Sequence, residues 1–387
     1  MDFNFTPEQE QLRDAVGKWV EKAYDFERRR AIVAGGGFDR TAWGELAELG
    51  LLGLTVAEQD GGMGMGAVEA MIVLEELAKG LVLEPYAQAL IAAQALAHAP
   101  QALRQQWLPK LVQGQALIVL AHQEKGARYQ LDQPQTQAKA QGQGYVLNGQ
   151  KNLVPAGDHA DAWIVPALLD GQVALFWVEQ GAAGVQTQGY LTQDGSRAAE
   201  LRLQASPAQL LCAVDDGQGL ALLQQLAGIG TAAVCAEGVG VMEQTLALTA
   251  DYMNQRKQFG VPIASFQALR HRIADMKMQL ELGRSMSYYA WLKLAEAPAD
   301  GDGAANGGAA ERERQQALSR AKYQLGQSMR YVGQQSVQLH GGIGVTDEYI
   351  GSHYFKKLTQ LQMCWGDSLH HLGIVSENMQ DTAGVFA

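Results

Sequence analysis

The hydrophobic residues of this 387-residue chain change their spacing twice, and these changes constrain its fold more than any other feature. In residues 1–117 they recur at helical spacing, as at Leu12 and Val16. From about 118 to 214 they form short runs separated by Gly, Gln and Asp, which is typical of strands. From 215 to 387 the helical spacing returns over long segments. The order predicts a helical N-terminal domain, a middle β domain and a C-terminal helical bundle domain.

Local signals refine the two helical regions. Thr6, followed by Pro7 and by Gln9 three positions later, predicts a capping box at the start of the first helix. The glycine-rich segment 61–66 is predicted to be a flexible loop before the next apolar helix. The Ala-, Gly- and Asp-rich segment 297–310 is predicted to be a flexible solvent loop between two long helices.

The middle region is predicted to consist of short strands. The apolar runs taken as strands are Ala116–Ala121, Tyr145–Leu147, Ala162–Ala167, Val173–Val178 and Leu201–Leu203. Gly-Gln dipeptides are expected to supply turns at 142–143, 149–150 and 171–172.

The long helical patterns of the C-terminal region predict a bundle. The residues that form the two apolar stripes are Leu269, Ile273, Met276 and Leu280, and Leu318, Ala321, Leu325, Met329 and Val332. Long helices joined by short connections favour a four-helix-bundle-like domain.

Composition excludes several classes of protein. With 47% hydrophobic and 18% charged residues, the chain is a globular protein rather than a disordered one. The net charge of −11 argues against a broad nucleic-acid or anionic-membrane surface. The sequence contains no uninterrupted run of about 18 apolar residues, so no membrane span is predicted. The three scattered cysteines, Cys212, Cys235 and Cys364, indicate reduced thiols in a cytoplasmic protein.

The sequence predicts no metal site, because no zinc-type Cys/His spacing is present. His370 and His371 are adjacent, so on a helix they point about 100° apart and make a poor ligand pair. They are predicted to be solvent-facing histidines.

Two segments of the C-terminal region carry chemistry. Residues 256–263 read Arg-Lys-Gln-Phe-Gly-Val-Pro-Ile and are followed by Gln267, which places an Arg, two Gln and a Phe at one helix junction. That set suits an anionic, planar ligand, with the Arg on a phosphate. Residues 338–344 read Gln-Leu-His-Gly-Gly-Ile-Gly, which lets the backbone approach a ligand closely. The alternative for this second segment is a plain turn between bundle helices.

Together these segments resemble the acyl-CoA dehydrogenase family, and the resemblance covers nearly the whole chain. The family patterns are matched at Trp43–Leu51 (Trp-x-x-Leu-Ala-Glu-x-Gly-Leu), Glu58–Gly64 (Glu-x-x-Gly-Gly-x-Gly), Arg256–Gln267 (Arg-x-x-Phe-Gly-x-Pro-Ile…Phe-Gln) and Gln338–Gly344 (Gln-x-x-Gly-Gly-x-Gly). The resemblance implies an α+β multidomain fold with a helical N-terminal domain, a middle β-barrel-like domain and a C-terminal four-helix bundle.

The resemblance also implies an activity and a cofactor. Family members use FAD to oxidise an acyl-CoA thioester to the 2-enoyl-CoA. A glutamate takes the α-proton, and electrons leave through an electron-transferring flavoprotein. The residues that match positions holding the ADP half of FAD are Arg256, Gln258, Phe259, Gln267, Gln338, Gly341 and Gly342. In the family these residues serve the FAD lodged in the neighbouring subunit, so at least a dimer is implied.

The chain departs from the family at both positions of the catalytic base. The commoner position falls on Trp365, whose indole N–H cannot accept a proton, and the other falls on Gly230. Glu237 lies seven residues from Gly230, roughly 10 Å along a helix, too far to replace it. Asp367 is a weak candidate base and is expected rather to contact the cofactor or cap a helix.

The segments expected to cradle the flavin ring are altered as well. Residues 123–125 read Gln-Glu-Lys where the family has Thr-Glu-Pro, and residues 153–155 read Leu-Val-Pro where it has Trp-Ile-Thr. Pro155 offers neither a hydroxyl nor a backbone N–H to the flavin ring. Gly228 and Thr231 replace the Asp and Arg that hold substrate or CoA in the family.

The overall pattern, including Tyr24-Asp25-Phe26-Glu27-Arg28-Arg29-Arg30 and Trp365-Gly366-Asp367, resembles the small subunit of pimeloyl-CoA-type dehydrogenases. Members of that branch are thought to work in heteromeric pairs on dicarboxylic or bulky acyl thioesters. The leading hypothesis is an FAD-dependent acyl-CoA dehydrogenase acting as one subunit of a dimer-based homo- or hetero-oligomer. The alternative is a non-catalytic partner that completes the FAD site of a related chain. A third hypothesis is an oxidase-like or nitroalkane-type flavoenzyme with Asp367 as its base.

Overall fold

The computed structural model describes residues 5–142, 144–212, 217–296 and 304–382. The helices in these ranges are α1 (Pro7–Ala23), α2 (Phe26–Ala34), α3 (Arg40–Glu48), α4 (Ala67–Lys79), α5 (Tyr86–Ala97), α6 (Gln101–Val112), α7 (Gln218–Gln255), α8 (Gln267–Ala295), α9 (Ala304–His340), α10 (Ile350–Met363) and α11 (Ser368–Thr382). The strands are β1 (Ile118–Leu120), β2 (Gln137–Gln141), β3 (Gly144–Pro155), β4 (Ala162–Leu169), β5 (Gln172–Glu179), β6 (Val185–Leu191), β7 (Arg197–Leu210), β8 (Lys257–Gln258) and β9 (Val261–Pro262).

These elements belong to two compact units. The helical unit takes its described residues from Met1–Arg29, Ala67–Val82 and Thr231–Ala387, and the sheet unit takes them from Arg30–Gly66 and Leu83–Gly230. The helix, sheet, helix order predicted from the sequence is confirmed. The exact bounds of the three domains stay a prediction.

In the helical unit, α9 packs against α8, α10 and α11. The predicted apolar stripe of α9 is fully confirmed, because Leu318, Ala321, Leu325, Met329 and Val332 are all buried. The α1 capping box is also confirmed: the Gln9 backbone N–H donates to Thr6 Oγ1 at 3.2 Å, and the Thr6 N–H donates to Gln9 Oε1 at 3.0 Å.

In the sheet unit, seven strands form one sheet in the order β1-β4-β2-β3-β7-β5, with β6 paired to β7. The pairs are antiparallel except β1–β4 and β2–β4. The sheet closes on itself because β5 pairs with both β7 and β4. This closure confirms the β-barrel-like middle domain.

Several strand predictions need correction. β3 has 12 residues and β7 has 14, so these strands are not short. β2 and β6 were not predicted, because their residues are largely polar and form no apolar run. Gly149 and Gln150 lie inside β3 rather than in a turn; a Cβ at Gly149 would come within 2.4 Å of Thr136 Oγ1. The turn before β5 is confirmed by Gly171 at φ +83°.

Two loop predictions also need correction. Residues 304–310 of the predicted solvent loop begin α9, while residues 297–303 lie outside the described residues. The glycine-rich segment 61–66 is held by backbone hydrogen bonds, including Met63 N to Gly53 O at 3.0 Å and Met65 N to Leu54 O at 2.9 Å. Its conformation is therefore fixed by pairing, which a glycine count alone does not reveal.

One helix in the described ranges, α7, is apolar and long enough to cross a membrane by length and composition alone. Its apolar window is 67% buried within the protein. This is weak evidence for a span, because core helices pass the same test.

Candidate functional site

The first chemistry-bearing segment forms a two-residue β-hairpin in the helical unit. β8 and β9 pair through Lys257↔Pro262 and Gln258↔Val261. The turn residues Phe259 and Gly260 both have positive φ, +53° and +82°, as the favoured type I′ hairpin turn requires. The hairpin directs the Phe259 ring outward, so that 91% of this residue is exposed.

The second segment is tied to the first through Tyr252. The Tyr252 hydroxyl, four residues before Arg256, donates to the His340 carbonyl at 3.2 Å, just before Gly341. His340 is buried and neutral, because burial lowers its pKa. Its Nδ1 lies 2.9 Å from the Ser336 carbonyl and its Nε2 lies 2.9 Å from the Tyr349 hydroxyl. An N–H on Nδ1 therefore donates to Ser336, and Nε2 accepts from Tyr349.

These two segments present an exposed set of groups, which we call the hairpin face. Its members are Arg256, Gln258, Phe259, Gln267, Gln338, Gly341 and Gly342, and all of them are exposed. Within the described ranges, the side chains of Arg256, Gln258, Gln267 and Gln338 make no hydrogen bond. Gly341 has φ +66°, and a Cβ built on Gly341 or Gly342 would meet no atom within 4 Å. The space above the two glycines is open to a ligand.

The turn that carries Trp365 is held by a buried lysine. Lys322 is fully buried and its Nζ donates to the carbonyls of Gln362 and Gly366 at 2.9 and 2.8 Å. Trp365 and Gly366 both have positive φ, +57° and +105°. A non-glycine residue in this conformation is strained and persists only where its surroundings fix it. Lys322 supplies part of that restraint.

His371 also restrains this turn, which corrects the prediction that it faces solvent. It is only 4% exposed, and its Nε2 lies 2.9 Å from the Trp365 carbonyl. Its Nδ1 lies 3.1 Å from Ser319 Oγ. Burial lowers the pKa of His371 to about 3, so the ring is neutral, donates from Nε2 and accepts at Nδ1. His370 is half-buried. Adjacent histidines gave no sequence signal for this packing.

The carboxylates near the family base positions have structural partners. Asp367 Oδ1 accepts the backbone N–H of His370 at 2.9 Å, which caps the start of α11. Glu237 forms an ion pair with Lys357 at 3.0 Å. Gly230 is buried on α7. The role of Asp367 as base or cofactor contact stays a prediction.

In the sheet unit, the two ring-side segments meet. The Asn152 backbone N–H donates to the Gln123 carbonyl at 2.8 Å, which places residues 123–125 beside residues 153–155. We call these two segments, together with Asn152, the ring-side cradle. A backbone hydrogen bond therefore joins the two segments, although their side chains differ from the family pattern.

Glu124 anchors the ring-side cradle from inside the sheet unit. It accepts hydrogen bonds from Lys151 Nζ at 2.5 Å and from Thr136 Oγ1 at 2.6 Å. Burial raises the pKa of Glu124, but Lys151 and the hydrogen bonds outweigh that effect and hold the pKa below its ordinary value. Burial lowers the pKa of fully buried Lys151 to about 8 despite this carboxylate. Lys151 also donates to the Pro166 carbonyl at 2.6 Å. The charged groups of Glu124 and Lys151 are therefore both bonded within the protein.

The exposed part of the cradle is a β-bulge. The pairing of β3 with β7 shifts register between Lys151 and Val154, and Leu153 within the bulge has φ +52°. The Leu153 N–H donates to the Tyr190 hydroxyl at 3.2 Å. Tyr190 lies on β6, a polar strand that sequence reasoning missed, so no pattern indicated its place here.

The two regions differ in what they can bind. The hairpin face combines a cation, amide groups, an aromatic ring and open backbone, which fits the phosphates and adenosine of a dinucleotide. In the ring-side cradle, Pro155 offers no hydrogen-bond donor. No group of three or more His, Cys, Asp or Glu residues that could hold a metal ion occurs in the part of the chain that the structure describes.

Comparison with known families gives three matches that together span most of the chain. Residues 6–115 match the model of the acyl-CoA dehydrogenase N-terminal domain. Residues 120–205 match the middle domain, and residues 217–380 match the C-terminal domain of the same family.

Individual relatives agree with these matches. The chain is 32% identical over 354 residues to the acyl-CoA dehydrogenase IpdE2 of Mycobacterium tuberculosis, covering 90% of each protein. It is 28% identical over 396 residues to the acyl-CoA dehydrogenase FadE27 of the same organism, covering 99% of this chain and 100% of the relative. Among solved structures, the ChsE4-ChsE5 complex from Mycobacterium tuberculosis is similar at a TM-score of 0.84 and 28% identity, covering 99% of this chain and 100% of the matched one.

Proposed function

This chain belongs to the acyl-CoA dehydrogenase family of FAD-dependent oxidoreductases, and from that premise we propose that it is a subunit of an FAD-dependent acyl-CoA dehydrogenase. The proposed reaction converts an acyl-CoA thioester to the 2-enoyl-CoA. Bound FAD supplies the two-electron acceptor, and an electron-transferring flavoprotein is the proposed partner that takes the electrons onward. Cys212, Cys235 and Cys364 form no disulfide in the described part of the chain, which supports a cytoplasmic location.

The hairpin face carries this proposal. Arg256 is exposed and makes no side-chain hydrogen bond in the described part of the chain, although the protein as a whole is acidic. An exposed guanidinium at a hairpin base, beside Gln258 and the open backbone at Gly341, suits a diphosphate. Because the face is exposed and its Arg and Gln side chains make no hydrogen bond within the described ranges, it suits an FAD shared with a neighbouring subunit.

Substitution of Arg256 tests the proposal. One lost charge-assisted hydrogen bond costs about 1.5–3 kcal/mol, so Arg256→Ala should weaken FAD binding about 10- to 100-fold. The control is Lys277→Ala, which removes one exposed charge from α8, where Lys277 pairs with Glu281 at 2.5 Å. Titration of FAD into the two deflavinated variants, followed by flavin fluorescence, compares them. Equal FAD affinities of the two variants would show that the hairpin face is not part of the FAD site.

A second function is favoured by the Trp365 turn. The turn that bears the family base carries an indole, and Asp367 and Glu237 are engaged in a helix cap and an ion pair. Such a chain suits a non-catalytic partner that lends its hairpin face to a related chain carrying the base. The similar ChsE4-ChsE5 structure is a complex of two named chains. The small-subunit role in a hetero-oligomer rests on the same observations.

Anaerobic reduction distinguishes the two functions. If this chain alone dehydrogenates, its bound flavin bleaches when acyl-CoA thioesters of different chain lengths are added. If it is a partner only, bleaching requires a second chain with a glutamate at the Trp365 position. A gene for such a chain next to this one would favour the partner role. Bleaching of the purified single chain would exclude it.

A further inference from the structure

A hydroxyl that the family motif does not place there, that of Tyr190, contacts the ring-side cradle at the Leu153 N–H. We propose that Tyr190 is the hydrogen-bond donor of this cradle and that it replaces the hydroxyl missing at Pro155 by donating to an acceptor on the flavin ring. This inference rests on the proposed function, because it concerns how this chain holds the ring of its own FAD.

Strand register places Tyr190 and Pro155 in one row. Pro155 pairs with Ala198 across β3 and β7, and Tyr190 pairs with the same Ala198 across β6 and β7. Directly paired residues of antiparallel strands project from the same face of a sheet. Tyr190 and Pro155 therefore share a face, two strands apart, with only a methyl side chain between them.

Because the Ala198 side chain is small, the phenol of Tyr190 can extend over β7 toward β3. Ala198 is only 4% exposed, so neighbouring side chains cover it closely. The Tyr190 hydroxyl reaches across this residue to the Leu153 N–H at 3.2 Å. The hydroxyl thus lies beside the segment 153–155, where the family has a threonine and this chain has a proline.

Tyr190 keeps a proton that it can donate. Its oxygen accepts the Leu153 N–H, and a phenol also has one O–H donor. In the described ranges no acceptor for this O–H is found. Burial raises the pKa of Tyr190, and the charge of Glu200 adds to that effect, so the phenol stays protonated at neutral pH.

A neighbouring acceptor is also without a partner. The Asn152 side-chain oxygen is buried and has no hydrogen-bond partner among the described residues. Leaving a buried polar atom unpaired costs about 1–3 kcal/mol, so such an atom calls for an explanation. Because the protein itself covers this oxygen, it does not face a ligand. The Tyr190 O–H is the group that can donate to a flavin, whose ring carries N and O acceptors.

The simpler role for Tyr190 is to satisfy the Leu153 N–H, which the bulge leaves out of the strand ladder. Comparing the single variant Tyr190→Phe with the double variant Tyr190→Phe/Pro155→Thr distinguishes the two roles. The Tyr190→Phe variant loses both the acceptor for Leu153 and the donor to the ring. Adding Pro155→Thr returns a hydroxyl to the cradle at residue 155 but gives Leu153 no new acceptor.

The experiment measures FAD affinity, the visible absorption of bound flavin and the thermal unfolding midpoint of the full chain. The variants are Tyr190→Phe, Tyr190→Phe/Pro155→Thr and a control, Tyr145→Phe, which removes a phenol hydroxyl elsewhere in β3. Loss of one neutral hydrogen bond should weaken FAD binding about three- to tenfold in Tyr190→Phe and shift the flavin absorption. Tyr145→Phe should change neither.

The double variant should recover FAD affinity while its unfolding midpoint stays as low as that of Tyr190→Phe. Affinity that follows the unfolding midpoint through all variants would overturn the proposal in favour of the structural role. Equal FAD affinity in wild type and Tyr190→Phe would also overturn it and leave the acyl-CoA dehydrogenase function intact. If the wild-type chain binds no FAD, Tyr190 has no such role, and only the partner function remains. An Arg256→Ala variant that binds FAD as tightly as its control would instead count against the proposed function itself.

Discussion

The hairpin face and the ring-side cradle differ in how their polar groups are used. On the hairpin face, Arg256, Gln258 and Gln267 are exposed and make no side-chain hydrogen bonds in the described ranges. In the cradle, Glu124 is buried and bonded to the neighbouring buried Lys151. Groups without partners in their own chain are available to a ligand or a neighbouring subunit, whereas paired buried groups mainly define backbone shape. Resemblance to a family motif alone does not make this distinction.

The largest expected effect comes from breaking the buried pair of the cradle. Lys151→Met leaves Glu124 as an uncompensated buried charge, which should lower the free energy of unfolding by about 3–5 kcal/mol. Chemical denaturation of wild type and variant measures the change. The paired control, Lys151→Met with Glu124→Leu, removes both charges and should cost less than the single variant. A single variant within about 1 kcal/mol of wild type would show that the pair does not anchor the cradle.

Acidification should weaken the same anchor without a mutation. The pKa of Glu124 is below its ordinary value of 4.5 in the folded chain, so its stabilising effect is complete above that value. The effect is lost as the pH falls through the lowered pKa. Lys151, with a pKa of about 8, stays charged over this range. Unfolding midpoints between neutral pH and the acid limit should fall less steeply in Glu124→Gln than in wild type. Parallel curves would contradict this.

Substitutions at Asp367 distinguish a helix-capping role of this residue from a catalytic one. Asn caps a helix about as well as Asp, whereas Ala does not, so Asp367→Ala should cost about 1 kcal/mol of stability and Asp367→Asn almost nothing. Thermal unfolding of both variants measures the difference. If Asp367 is instead the general base, Asp367→Asn should reduce acyl-CoA turnover about 10²- to 10⁴-fold with stability unchanged. That result would restore the hypothesis of an aspartate base.

The smallest expected effect concerns the tip of the hairpin face. Asn tolerates positive φ and is favoured before Gly in type I′ turns, so Phe259→Asn should leave stability unchanged or raise it by a few tenths of a kcal/mol. The same change removes the exposed ring and should weaken FAD binding. Stability and FAD affinity are measured on one preparation of the variant. A gain in both would show that the ring does not serve the ligand.

Much of the fold could be predicted because the hydrophobic spacing reports it directly. The α9 stripe and the Thr6 capping box depend on local sequence, and both are confirmed. The polar strands β2 and β6 could not be predicted, because their pairing depends on partners distant in sequence. His371 was assigned to solvent for a similar reason: its burial against Ser319 is a tertiary contact.

The site was predictable only in its local parts. The hairpin turn at Phe259 and Gly260 follows from neighbouring residues. The place of Tyr190 depends on three strands sharing the register of Ala198, which no single segment encodes. For the same reason, the contact between Asn152 and Gln123, which brings residues 123–125 beside residues 153–155, could not be predicted from either segment alone.

The flavin-to-chain ratio of this protein, expressed and purified without any related chain, tests the central claim most directly. Absorbance of the released flavin against protein concentration gives the ratio. If the hairpin face binds the ADP half and Tyr190 completes the cradle, the ratio should be close to one FAD per chain. A ratio near zero in a folded preparation would contradict that claim and leave the chain as a partner for a related subunit.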